Sequence, residues 1–233
     1  MSGLNAPSRV KNILLVHGAF VGGSGWQSVY QLLQQQGYQV AVMQNPTSSL
    51  ADDVARTKDA IAAMQGPVLL VGHSYGGAVI TEAGNDPKVK GLVYIAAFVP
   101  DAGESVKTLV DSFPSDAPHA PIIPAQDGFV RLDKQKFAAS FADDIPSPLA
   151  DFIAASQIPW GLAALTGTVT VPSWKAKPSW YLLAKDDKMI PALAQQQMAN
   201  RAGALVCEVS GSHAIYISQS EAVAALIAKA SLL

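Results

Sequence analysis

A chain of 233 residues, 49% hydrophobic and 15% charged, is long enough to fold as one domain around a substantial core and lies at the apolar end of the soluble range. Its formal charge of −2, with no basic run, provides no electrostatic footprint for nucleic acid. Zinc-like Cys/His spacings and the phosphate-binding G-x-x-x-x-G-K-[ST] pattern are missing too, so the expectation is chemistry without metal or cofactor.

The opening stretch Met1–Arg9 has no apolar signal core, so the chain as it stands reads as cytoplasmic. The few residues before Asn12 leave no room for a long antiparallel lead-in. A strand is predicted at about 12–17, a helix at about 24–36 and a strand at about 38–44. A helix at about 50–65 follows, with Ser48 or Ser49 as its N-cap and with Asp52 and Asp53 in the first turn complementing its dipole. Next come a strand at about 67–72, a helix at about 74–84 and a strand at about 91–98. Apolar runs such as Leu92–Val99 have strand length, far short of the roughly 20 residues of a membrane span.

This rhythm fails between about 100 and 178, where prolines cluster among short amphipathic pieces such as Phe137–Phe141 and Leu149–Ile153. So long an interruption is expected to be a packed, mainly helical cap. A strand at about 179–184, a helix at about 191–201 opened by Pro191, a strand at about 204–209 and a helix at about 218–230 complete the chain. The alternation predicts an α/β fold: a mostly parallel, roughly six-stranded sheet with helices on both faces. It forms one domain over 1–233, with its core in 1–99 and 179–233 and the cap inserted at about 100–178. Cys207, alone and in a strand candidate, is expected to be a buried structural thiol.

Gly72-His73-Ser74-Tyr75-Gly76 follows the apolar run Val68–Val71 and precedes a helix-compatible stretch. This is G-x-S-x-G in strand-turn-helix context, where small neighbours let strand and helix close on a strained serine. Ser74 is therefore the candidate nucleophile. A serine hydroxyl needs a base, an acid to orient that base, and donors for the oxyanion.

The partners of such a serine follow in the order acid, then histidine. His213, on a turn-rich segment after the strand at 204–209, is the candidate base. For the acid, Asp186 and Asp187 both follow the strand ending at Ala184 and spacing alone does not separate them; Asp187, three residues after Ala184 and four before the helix-opening Pro191, is preferred, with Asp186 and Asp101 as alternatives. Backbone amides of Ala19 and Tyr75 are the expected oxyanion donors. His17 is expected to brace the oxyanion loop, His73 to be packed and hydrogen-bonded, and His119 to lie on a solvated loop or line a pocket. Phe20, Phe98, Phe129, Phe141, Trp160, Leu162 and Ile190, with His119, are the candidate pocket residues.

Leu15-Val16-His17-Gly18-Ala19-Phe20 with Trp26, the core Gly72–Gly77, and the ending around Asp187 and His213 resemble the α/β-hydrolase superfamily. Within it they are similar to the compact branch of plant methylesterases, salicylate-binding esterases and hydroxynitrile lyases with their bacterial esterase-like relatives. Those lyases carry a threonine after the first-strand histidine and a lysine beside the catalytic histidine, where this chain has Gly18 and Ala214. The resemblance thus implies a cofactor-free serine hydrolase, with a Ser74, His213 and Asp187 triad cleaving small to medium apolar or aromatic esters or lactones. Lyase-like or cofactor-independent oxygenase chemistry on the same groups, or a slow-turnover ligand receptor, are the alternatives. A small-molecule substrate is the only partner implied.

Overall fold

The computed structural model describes residues 9–233; the expectations about the opening of the chain fall on residues 1–8 and lie outside the described residues. The first half alternates β1 (Asn12–Val16), α1 (Gln27–Gln35), β2 (Gln39–Val42), α2 (Leu50–Ala63), β3 (Val68–His73), α3 (Gly76–Ala83) and β4 (Val89–Ile95). An irregular region follows, with α4 (Val106–Asp111), β5 (Ile122–Pro124), β6 (Phe129–Leu132), α5 (Phe137–Phe141), α6 (Ser147–Ala155), β7 (Trp160–Gly161) and α7 (Leu162–Thr166). The alternation resumes with β8 (Ser179–Ala184), α8 (Ala192–Arg201), β9 (Leu205–Val209), α9 (Ile215–Ser218) and α10 (Ser220–Ala230).

Six strands form one parallel sheet in the order β2-β1-β3-β4-β8-β9. Strand alternation sends side chains to two apolar layers. Ile13, Leu15, Leu69, Val71, Val93, Ile95 and Leu182 pack against Val29 and Leu33 of α1 and Val223 and Ile227 of α10. Leu14, Val16, Leu70, Leu92, Tyr94, Tyr181 and Leu183 face the other way, toward Val54 of α2, Val79 and Ile80 of α3 and Met198 of α8. The central β3 is buried along its whole length, which makes it a rigid support for whatever follows it.

Three local expectations change. The strand predicted to reach residue 98 stops at Ile95, because Ala96 takes a φ of 42° and the chain turns out of the sheet. Phe98 N–H then donates to Ser74 C=O, so this bend packs on the serine turn. Cys207 is exposed rather than buried, since β9 is an edge strand paired only with β8 and helices cover it poorly. Helices dominate the region between β4 and β8, but it also contains a small antiparallel sheet, β5-β6-β7, that strands of two to four residues did not reveal in the sequence.

The second helix is capped by Ser49, whose hydroxyl accepts from Asp52 N–H. Asp53 lies in the first turn as expected, but its side chain points into the protein and is fully buried. Among the described residues no helix is long and apolar enough to cross a membrane.

Candidate active site

Only Ser74 and Tyr75 separate β3 from α3, and Ser74 makes the turn with a φ of 53°. This left-handed conformation costs a non-glycine residue about 1–3 kcal/mol. A Cβ at Gly72 would lie 2.6 Å from Gly76 O, and one at Gly76 would lie 2.6 Å from Val16 O, so the turn closes only with glycine at both positions. Gly18 serves the same purpose from β1: a Cβ there would lie 2.6 Å from Ser74 Cβ.

Ser74, His213 and Asp187 come together at the C-terminal ends of the strands. Ser74 Oγ lies 2.8 Å from His213 Nε2, and His213 Nδ1 lies 2.7 Å from Asp187 Oδ2. A carboxylate accepts only, so Nδ1 carries the proton toward Asp187 and Nε2 is left to accept from the serine. Asp187 Oδ1 accepts from Met189 N–H at 2.7 Å and Ile190 N–H at 3.0 Å. Its Oδ2 also accepts from Gln195 Nε2 at 3.0 Å.

Gln195 is fully buried on α8; its Nε2 also donates to Ile190 C=O and its Oε1 accepts from Ala184 N–H. It was missed in the sequence because it is one of three consecutive glutamines, Gln195–Gln197, and only packing on β8 distinguishes the inward one. The alternative acids lie elsewhere. Asp186 is exposed and accepts from Gly211 N–H, bracing the loop that carries His213. Asp101 pairs with Lys175 at 2.5 Å.

A further carboxylate holds that loop from the region between β4 and β8. Asp144 accepts from Ser212 N–H, Ser212 Oγ and Ser218 Oγ, on both sides of His213. Burial would raise its carboxyl, but the two hydroxyls and the amide outweigh burial and hold it below its ordinary value. Phe141 C=O adds an acceptor for Ala214 N–H.

The Ala19 and Tyr75 N–H groups have no hydrogen-bond partner among the described residues, and both residues line the cavity that holds Ser74. His17 Nε2 accepts from Asn45 N–H, which leaves Nδ1–H to donate to Gly18 C=O at 2.8 Å. Burial lowers its pKa, so it braces the Gly18–Ala19 loop as a neutral ring. His73 Nε2–H donates to His213 C=O at 2.9 Å, and burial followed by the proximity of His213 pushes its pKa well down.

Above Ser74 lies a largely apolar cavity of about 220 Å³. Of the candidate pocket residues, Phe20, Phe98, His119, Trp160 and Ile190 line it, together with Val106, Val110, Phe113, Ile122, Leu165 and Met189. Three expected pocket residues lie outside this lining. Phe129 alternates with the buried Val130 along β6 and so faces the other way. Phe141 is buried, its ring edge-on to His213 at 4.8 Å. Leu162 opens α7 on its outer side and is 45% exposed. A larger open depression of about 840 Å³, lined by Arg9, Lys11 and Gln39, sits at the opposite end of the strands, away from any of these groups.

The sequence matches the alpha/beta hydrolase family over residues 13–226. The chain belongs to this family. Among similar members is a pyrethroid hydrolase of Sphingobium wenxiniae, 31% identical over 258 aligned positions that cover 94% of this chain and 87% of the relative. A carbendazim hydrolyzing esterase of a Nocardioides species is 34% identical over 113 positions, 42% of this chain and 47% of that one. The crystal structure of a pyrethroid hydrolase from Sphingobium faniae superposes on this α/β hydrolase with a TM-score of 0.81 at 26% identity, covering 95% and 97% of the two chains. The family assignment agrees with the serine turn, the parallel sheet and the hydrolytic class expected from the motifs.

Two predictions follow from this geometry. Asp187→Asn should lower kcat by about 10⁴-fold, because an amide favours the wrong imidazole tautomer. Asp186→Asn should cost less than about tenfold, its carboxylate reaching only a backbone amide of the loop; steady-state kinetics on an activated ester compares the two.

The second concerns acid. A carboxyl held below its ordinary value contributes stability above its unfolded pKa, and that contribution disappears as pH falls through the folded pKa. Asp144→Asn should therefore lower the thermal midpoint at neutral pH by about 2–4 °C, equivalent to on the order of 1 kcal/mol after allowing for solvent screening of an exposed carboxylate. The gap from the parent protein should close below about pH 4, as followed by circular dichroism across pH.

Proposed function

We propose that the protein is a serine esterase that cleaves small to medium uncharged carboxylic esters or lactones through an acyl-enzyme on Ser74. The observation that carries this reading is the unbroken relay Asp187, His213, Ser74, which ends under an apolar cavity with two free amides beside it. Ser74 Oγ attacks the ester carbonyl while His213 Nε2 takes its proton, and the Ala19 and Tyr75 N–H groups receive the oxyanion. His213 returns the proton to the leaving alcohol. Water, activated by the same ring, then releases the acid and restores Ser74.

Substrate size and polarity follow from the cavity. Its volume of about 220 Å³ is below the ~300–1,000 Å³ of drug-sized sites, and its walls are aromatic and branched side chains. Lys107 at the mouth is paired with Asp111 at 2.6 Å, which leaves no concentrated cationic site for a polyanion. The region at about 100–178 then acts as the cap, supplying most of the cavity wall to a single domain spanning the chain. Hydrolysis is favoured over cyanohydrin cleavage: Gly18 has no hydroxyl and is closed by Ser74, and Ala214 is a buried, uncharged neighbour of the base.

Ser74→Ala should reduce ester turnover by orders of magnitude with the fold intact, and a fluorophosphonate should label the parent protein once, at Ser74. Substantial turnover in the alanine variant would overturn covalent catalysis at this residue. Trp160→Ala should shift selectivity across a series of aryl and alkyl esters of graded size by about tenfold or more in kcat/KM ratio while leaving the rate of fluorophosphonate labelling within about threefold. An unchanged ester profile would remove Trp160 from the specificity wall.

A further inference from the structure

Asp53 is a fully buried carboxylate that the reaction at Ser74 does not use, and it connects two parts of the site. Its Oδ2 accepts from Tyr75 Oη–H at 2.6 Å, and its Oδ1 accepts from Thr47 N–H at 2.9 Å. Tyr75 is the residue directly after the serine, and its own N–H is one of the two free amides at the cavity. Thr47 belongs to the loop before α2 and takes a φ of 55°, a conformation in which a β-branched residue is an outlier and has to be held in place.

What holds Thr47 also docks the cap. Its C=O accepts from Gly161 N–H at 2.8 Å, and its Oγ1 donates to Pro159 C=O at 2.9 Å and is 2.8 Å from Pro46 C=O. Pro159 and Gly161 flank Trp160, whose ring packs 5.3 Å from that of Tyr75 and lines the same cavity. A Cβ on Gly161 would collide with Ser48 O, so this strand lies directly on the loop that Asp53 secures. One carboxylate therefore fixes both the oxyanion side and the aromatic wall of the cavity.

We propose that Asp53 is a positioning residue for the reaction at Ser74: through Tyr75 it sets the oxyanion amide, and through Thr47 it sets Trp160 against the substrate. A carboxylate suits this role because both of its oxygens accept, whereas an amide in its place would satisfy one donor and present its own N–H to the other. Burial is the largest influence on its acidity and raises its pKa to about 6, opposed by the Tyr75 and Thr47 bonds and reinforced by the neighbouring Asp52. At neutral pH it remains mainly ionised and able to accept on both sides. The inference rests on Ser74 being the residue acylated.

The test uses Tyr75→Phe, Asp53→Asn and the double variant, with pre-steady-state release of nitrophenol to read acylation and steady-state kinetics on a small and a large ester. Tyr75→Phe removes only the hydroxyl arm: acylation should slow by about tenfold, with the dissociation constant of the small ester, read from the concentration dependence of the burst rate, within about threefold and the large-to-small selectivity unchanged. Asp53→Asn should show the same slowing and should also shift the large-to-small selectivity, because the Thr47 arm is disturbed as well. The double variant should acylate no more slowly than Asp53→Asn, since both substitutions break one connection.

Folded variants with parental acylation rates, or with lowered thermal midpoints alone, would overturn the proposal and make Asp53 purely structural. Slowing in the two single variants that multiplies in the double would overturn it as well. If Asp53→Asn does not fold, Tyr75→Phe decides alone: a tenfold slower acylation supports the oxyanion arm and a parental rate refutes it. Fluorophosphonate labelling of Ser74 in the parent protein is run alongside, so that failure of the acyl-enzyme reading itself is seen separately.

Discussion

The left-handed turn at Ser74 is the constraint around which the rest of the molecule is arranged. A serine at a φ of 53° is unfavourable by itself, and it persists because its surroundings leave no alternative. β3 is buried on both faces and pairs with β1 and, past a register shift at Val68/Leu69, with β4; α3 begins after Ser74 and Tyr75, and three glycines bring neighbouring backbone or side-chain atoms to within a Cβ of one another. Phe98 N–H donates to Ser74 C=O from the far side, so the bend after β4 is part of the same construction. Holding the serine off the helical and extended regions is what lifts its hydroxyl out of the sheet plane toward the cavity.

Around that turn, buried or loop-held carboxylates secure segments whose own local structure is weak. Asp187 collects two backbone amides and the Gln195 side chain before it reaches His213. Asp144 gathers the hydroxyls and an amide that flank His213, and Asp53 gathers Tyr75 and Thr47. Each is an acceptor-only group placed where several donors converge from different elements. Loops fixed in this way hold the geometry that a hydrogen-bonded relay requires, without a further secondary-structure element to support them.

The two halves of the site have different origins. Ser74, His213, Asp187 and the Ala19 and Tyr75 amides all sit on loops following strands of the parallel sheet, the end of an α/β sheet where ligands bind. The cavity wall comes mainly from the region between β4 and β8, through α4, the β7 strand and the segment around Phe113 and Ile122. Phe98 and Phe113, stacked at 6.5 Å, join the two sources. The polar groups and most of the cavity wall thus come from separate parts of one chain, tied together where Asp53 holds both Tyr75 and Thr47.

The amino-acid sequence by itself determined the alternation of strands and helices, the sheet's parallel character and the identity of the serine turn, because buried parallel strands and close glycine packing leave local patterns of composition. Tertiary structure alone decided the rest: which of the adjacent Asp186 and Asp187 turns toward His213, which of three consecutive glutamines is buried, and that Asp53, in the first turn of its helix, points inward to Tyr75 and Thr47. It also placed Phe129, Phe141 and Leu162 outside the cavity and Phe113 and Leu165 in its wall. The physical reason is the same each time. Strand and helix periods are local properties of the chain, whereas the direction a carboxylate or a ring faces on a loop or a five-residue helix depends on the donors and surfaces that distant segments bring to it.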